Sequence, residues 1–234
     1  MPVVSATALR FAYRGGPQLI DLPSFALDAG ESVFLHGPSG CGKSTLINLL
    51  AGTLTPGAGR IEIAGQALTG LARGRRDRLR GDHLGLIFQQ FNLLPFLSVR
   101  ENVLLPCRFS ARRAAQASRA VGSPLAAAQA LLERLGLDRR LHGRAAGTLS
   151  VGQQQRVAAA RALIGSPELV LADEPTSALD AAAQQAFIDL LFEQCAATGA
   201  ALLFVSHDQR LASRFLRVES LPELNRAHPA PLPA

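Results

Sequence analysis

Gly37-Pro38-Ser39-Gly40-Cys41-Gly42-Lys43-Ser44-Thr45 is the stretch on which the fold turns. Its spacing, G-x-x-x-x-G-K-[ST], is that of a loop built to hold phosphate groups. The apolar run Ser32–His36 precedes it and the helical pattern Ser44–Ala51 follows it, so the local order is strand, loop, helix. Gly37, Gly40 and Gly42 allow the backbone to turn successive N–H groups inward, and Ser39 and Cys41, at the variable places, contribute theirs to the same nest. The positive end of the helix adds to that field. Lys43 offers a compact charge to β- and γ-phosphates, the Ser44 hydroxyl a ligand for Mg²⁺, and Thr45 a contact to the α-phosphate.

Working outward, short apolar runs predict further buried strands over Gly85–Phe88, Leu169–Asp173 and Ala201–Ser206, and helical patterns over Ala126–Leu135, Gln153–Ile164 and Ala181–Ala197. Strands alternating with helices imply an α/β fold with a parallel sheet. From about Pro95 to Ile164 strand signals are missing, which predicts a helical insertion; the proline-rich end from Asn225 to Ala234 reads as a frayed tail. Asp173 and Glu174 close an apolar strand at its carboxyl end, where α/β proteins bind ligands. Beside a phosphate loop, Asp173 suits Mg²⁺ and Glu174 suits the polarisation of an attacking water; alone, the pair is an ordinary acidic turn.

Composition bounds the rest. The 234 residues are 48% hydrophobic and 18% charged, enough apolar matter for a substantial core. The 3 cysteines are too scattered for a disulfide framework and suggest a reducing compartment. No stretch has the length and apolarity of a membrane span, and Met1-Pro2-Val3 has no signal-peptide layout. Of the 24 basic residues Lys43 is the single lysine, which sharpens the phosphate-loop reading. The arginine cluster from Arg73 to Arg80 and the later Arg108, Arg112, Arg113 and Arg119 read first as solvated helix faces, ahead of nucleic acid or an anionic membrane surface.

Leu149-Ser150-Val151-Gly152-Gln153, followed by Gln154-Gln155-Arg156-Val157 and Arg161-Ala162-Leu163, resembles the signature segment of ABC-type ATPases, with Gly152 standing 21 residues before Asp173. Gln89 in Phe88-Gln89-Gln90 resembles that family's Q-loop glutamine, a further Mg²⁺ contact. Asp180 in Ser177-Ala178-Leu179-Asp180 resembles the D-loop acid, and His207 the switch histidine. Tyr13 matches the aromatic that stacks on adenine. The resemblance covers Val3 to about Leu216, and Phe88–Pro95 with Glu101-Asn102-Val103 resembles the lipoprotein-release and macrolide-export branch. It implies a P-loop NTPase (RecA-like) core over about 1–92 and 166–224, an inserted helical subdomain over about 93–165, and an antiparallel β subdomain near the N-terminus. It further implies ATP and Mg²⁺ as cofactors, a homodimer of ATPase subunits, an integral membrane permease as partner, no nucleic acid, and a cytoplasmic place on the inner face of the membrane. Lys43, Gln89, Glu174 and His207 are then the catalytic set. Ser150, Gly152, Gln153 and Asp180 serve the nucleotide across the dimer.

Two positions depart from the family pattern. Val151 replaces a signature glycine, where glycine permits positive φ and close approach. Arg217–Pro222 carries no glycine turn. Three other readings share parts of these motifs. A regulatory ATPase of the same fold, coupled to cell-envelope or division machinery, would carry them all. A DNA-repair ATPase needs long heptad repeats that are missing here, and a P-loop kinase leaves the signature segment and His207 unexplained.

Overall fold

The structure is a computed structural model, and it describes residues 2–227. In chain order come β1 (Pro2–Ala12), β2 (Gln18–Asp28), β3 (Ser32–His36), α1 (Lys43–Leu50), β4 (Ala58–Ile63), β5 (Gln66–Ala67), α2 (Arg73–His83) and β6 (Leu84–Ile87). Four helices follow, α3 (Val99–Phe109), α4 (Ala111–Val121), α5 (Pro124–Arg134) and α6 (Val151–Leu163). The chain then returns to β7 (Leu169–Asp173), α7 (Ala181–Thr198), β8 (Ala201–Val205), β9 (Arg217–Ser220) and α8 (Leu221–Leu224).

Two sheets organise these elements. One is antiparallel, in the order β2-β1-β4-β5; the other is parallel, in the order β6-β7-β8-β3-β9. Side-chain alternation in the parallel sheet sorts its residues onto two faces. Val33, Leu35, Leu169, Leu171, Leu203 and Val205 join α1 and the antiparallel sheet in one core. Phe34, Val170, Ala172, Leu202 and Phe204 face a second core with Val99 and Val103 of α3, Leu132 of α5, Val157 of α6 and Leu191 of α7. The helical insertion therefore shares its core with the sheet.

Local sequence explains where the site-bearing elements begin. At the start of α1, Gly42 has φ +105°, a conformation that strains any residue with a Cβ. The helix then buries Leu46, Leu49 and Leu50 completely, about 1.5–3 kcal/mol for each. At the start of α6, Ser150 accepts from the Gln153 N–H while Gln153 Oε1 accepts from the Ser150 N–H at 3.0 Å, a reciprocal cap that satisfies two orphan donors. Gly85 in β6 lies so close to α6 that a Cβ there would sit 2.4 Å from the Ala162 carbonyl oxygen.

Two sequence expectations change, and the closure of the last strand, which the sequence left open, is seen. Asn225, assigned to a frayed tail, is buried: its Oδ1 accepts from the Asp21 N–H at 2.7 Å and its Nδ2 donates to the Leu19 carbonyl at 2.8 Å. The rest of that expected tail beyond residue 227 lies outside the described residues. The segment without a glycine turn closes the parallel sheet through β9 on β3, and Leu221 just after it is fully buried. Among the later arginines, Arg113 is buried at 2% exposure, donating to the carbonyls of Leu84 at 3.0 Å and Ile164 at 2.7 Å. Burial pulls its guanidinium down to about 10. Arg73, Arg75 and Arg78 of α2 are exposed, as a solvated face requires.

Candidate functional site

The carboxyl ends of β6, β7, β8 and β3 run along one edge of the parallel sheet, the edge at which open α/β sheets hold ligands. A cavity of about 450 Å³ opens there, lined by Ser39, Gly40, Gly42, Lys43, Ser44 and Thr45 from the loop after β3. Gln89 from the end of β6, Glu174 from β7, His207 from β8, and Leu19 of β2 complete the wall. Apart from Leu19 these are residues that the motifs single out; no motif marks Leu19, because its place depends on how the antiparallel sheet lies against the loop.

Lys43 Nζ donates to the carbonyls of Gly37 at 2.8 Å and Pro38 at 3.0 Å, which folds the side chain back over its own loop. Gly37 is confined from below: a Cβ there would lie 2.7 Å from Cys41 Sγ and 3.0 Å from Cδ of Pro222. Cys41 is buried and stands outside the cavity wall, so its thiol packs the loop from beneath. Tyr13 is 52% exposed; its ring meets Phe11 edge-on at 4.9 Å, and its hydroxyl lies 3.2 Å from Thr45 Oγ1.

Asp173 is half-buried, and burial raises its carboxyl above the ordinary value, helped by the neighbouring Glu174 charge and opposed by a hydrogen bond from Ser44 and the charge of Lys43. Its Oδ1 is buried without a hydrogen-bond partner. A desolvated carboxylate oxygen in need of a partner, beside a hydroxyl, suits a hard divalent cation that takes oxygen ligands. The residues present therefore fit Mg²⁺.

Glu174 sits at φ +47°, a left-handed conformation costly for a residue with a side chain. Its N–H donates to the Val205 carbonyl at 2.9 Å, which fixes the turn to β8. The carboxylate faces His207 Nδ1, 2.9 Å from Oε2, with the Ser206 hydroxyl 3.5 Å away. Glu174 also borders a second opening, of about 470 Å³, with Ser177, Gln184, Asp208 and Arg210.

Ser150, Gly152, Gln153 and Asp180 are not brought to the cavity in one copy of the chain. Ser150 and Gln153 cap α6, and Asp180 caps α7 by accepting from the Ala183 N–H at 2.8 Å. Val151 is the first residue of α6 and does not have positive φ, so the missing glycine leaves no strain at that position. Sequence reasoning also missed the supports: Arg161 Nη1 donates to the Asn92 carbonyl at 2.6 Å and a second N–H to that of Phe91, holding two left-handed residues just past Gln89.

Comparison with known proteins agrees with this architecture. The family model described as "ABC transporter" matches residues 20–177. The lipoprotein-releasing system ATP-binding protein LolD of Hydrogenovibrio crunogenus is 41% identical over 224 residues, covering 94% of each chain. The macrolide export ATP-binding/permease protein MacB of Hyphomonas neptunium is 42% identical over 199 residues, 85% of this chain but 30% of that protein. Among solved structures, the dimeric post-hydrolysis state of the ATP-binding cassette MJ0796 bound to ADP and Pi superposes with a TM-score of 0.81 at 32% identity, covering 93% of both chains. With its phosphate loop, signature segment and strand-end carboxylates in this order, the chain belongs to the ABC transporter family.

Proposed function

We propose that this chain is the ATP-hydrolysing subunit of a transporter of the lipoprotein-release or macrolide-export type, acting as a homodimer beside a separate membrane permease. The observation that carries the reading is the single cavity shared by Lys43, Ser44, Gln89, Glu174 and His207. Phosphoryl transfer to water needs charge stabilisation and positioning above all, and these residues supply both. Lys43 and the loop N–H groups bind the phosphates of ATP. Ser44, Asp173 and Gln89 would hold Mg²⁺, which supplies neutralisation of phosphate charge. Glu174 orients and polarises the water, and His207 holds the Glu174 carboxylate in place.

The displacement of Ser150 and Gly152 from the cavity supports the dimer: the positive N-terminal end of α6, which begins just after Ser150, suits a phosphate of a second copy. Nucleotide-driven closing and opening of that dimer would pass to the permease through the Gln89–Pro106 segment and the helical subdomain of about 93–165. No described helix is long and apolar enough to cross a membrane. We place the subunit in the cytoplasm, on the inner face of the membrane and without a nucleic-acid partner. Steady-state ATPase rates and ATP-dependent dimerisation of Glu174→Gln by size-exclusion chromatography test the reading. Hydrolysis by the parent and an ATP-stabilised dimer of the variant are the expected results; a parent without ATPase activity beside its permease would refute it.

A further inference from the structure

Gln155 stands out among the side chains that line no cavity. It is fully buried on α6, on the stripe shared with Ala158, Ala159 and Ala162, which are also buried. Its Nε2 donates to the Pro175 carbonyl at 2.7 Å, whereas its Oε1 is buried with no partner. A buried acceptor left unmade costs more than one neutral hydrogen bond returns, so this amide is a poor device for stability. What the bond does is geometric. Pro175 directly follows Glu174, whose backbone is held at φ +47°. The same helix nears that segment a second time, where a Cβ added at Gly152 would lie 3.9 Å from Leu179 Cδ2.

We propose that Gln155 is a positioning residue for Glu174. Its carboxamide ties the helix that begins at Ser150 to the turn that aims the carboxylate. This rests on the function proposed above, and it adds a consequence: the helix end that serves the partner's nucleotide is mechanically joined to the acid that serves its own. Displacement of α6 on closure of one site thereby sets the aim of Glu174 in the other.

The test is the ATPase activity of the purified chain with ATP and Mg²⁺, in the presence of its permease, for the parent, Gln155→Met and Gln155→Asn. Methionine keeps the volume but loses the donor; asparagine keeps the amide but is a methylene too short, and it serves should the first variant not fold. Both should lose about tenfold or more in kcat, since small misplacements of a reacting group are costly, while the KM for ATP stays within about twofold. The melting temperature of Gln155→Met should stay close to the parent's, because the variant removes the orphaned Oε1 but leaves the buried Pro175 carbonyl without its donor. A folded variant with parental kcat, or a kcat loss matched by a fall in melting temperature, would overturn the role of Gln155 alone. An inactive parent would overturn the functional reading with it.

Discussion

His207 Nδ1 stands 2.9 Å from Oε2 and 3.0 Å from Oε1 of Glu174, so one imidazole edge spans both oxygens of the carboxylate. The two residues come from the ends of adjacent strands, β7 and β8, paired in register at Asp173 and Val205. The imidazole is 69% exposed and the carboxylate 14%, so the histidine covers the acid from the solvent side. His207→Ala should lower kcat by on the order of ten- to a hundredfold with little change in the KM for ATP. Glu174→Gln should bind ATP and stall. Single-turnover hydrolysis and equilibrium nucleotide binding, measured side by side, check both; a His207→Ala enzyme as fast as the parent would show that the contact plays no part in turnover.

Lys43 spends two of its three donors on Gly37 and Pro38 in this structure. Lys43→Ala should abolish hydrolysis and weaken ATP binding, because the phosphates lose a point charge that no other lysine can replace. Lys43→Arg should recover little, since a broad planar fork fits this tight loop poorly. Fluorescent-nucleotide titration with a parallel rate assay decides it, and normal turnover in Lys43→Ala would end the phosphate-loop assignment.

Val151 opens α6 with ordinary helical geometry and is 47% exposed. Val151→Gly should therefore change the ATPase rate by only a few fold, the size of a propensity effect at a helix start. Gly152→Asp should be far more damaging, because it sets bulk and negative charge where the second copy's γ-phosphate is proposed to lie. An inactive parent revived by Val151→Gly would mean that the family's glycine is required after all.

Glu168 ties α4 and α2 to the loop before β7 through Arg112 and through His83, whose Nδ1 is 3.1 Å away. Burial alone would raise its carboxyl, but the hydrogen bond and charge of His83, with the charge of Arg112, outweigh it and hold the group below its ordinary 4.5. A depressed carboxyl contributes stability that is fully present above the unfolded value of 4.5 and is lost as the pH falls through the lower folded one. Glu168→Gln should thus be less stable than the parent at neutral pH, with the gap closing in acid. Urea unfolding at several pH values measures it; a gap constant with pH would show that the ion pair contributes nothing.

Much of this protein is determined by short-range pattern. Ser32–His36 and Leu169–Asp173 are strands to the residue, because both are apolar runs buried on both faces and stopped by glycine or by acids and proline. Gly37–Thr45 specified its own loop and helix, since glycine freedom and a following apolar stripe act locally. α6 starts two residues before the expected Gln153, at Val151, because the reciprocal Ser150–Gln153 cap extends the helix upstream. Tertiary structure alone decided the rest. The long β1 and β2 alternate buried and exposed residues, but their pairing is set by contacts across the sheet. Asn225 bonds residues more than 200 positions away, Arg113 reaches carbonyls 29 to 51 positions off, and Gln155 reaches Pro175. No local periodicity records such bonds, because a buried polar group is satisfied by whatever backbone the fold brings to it.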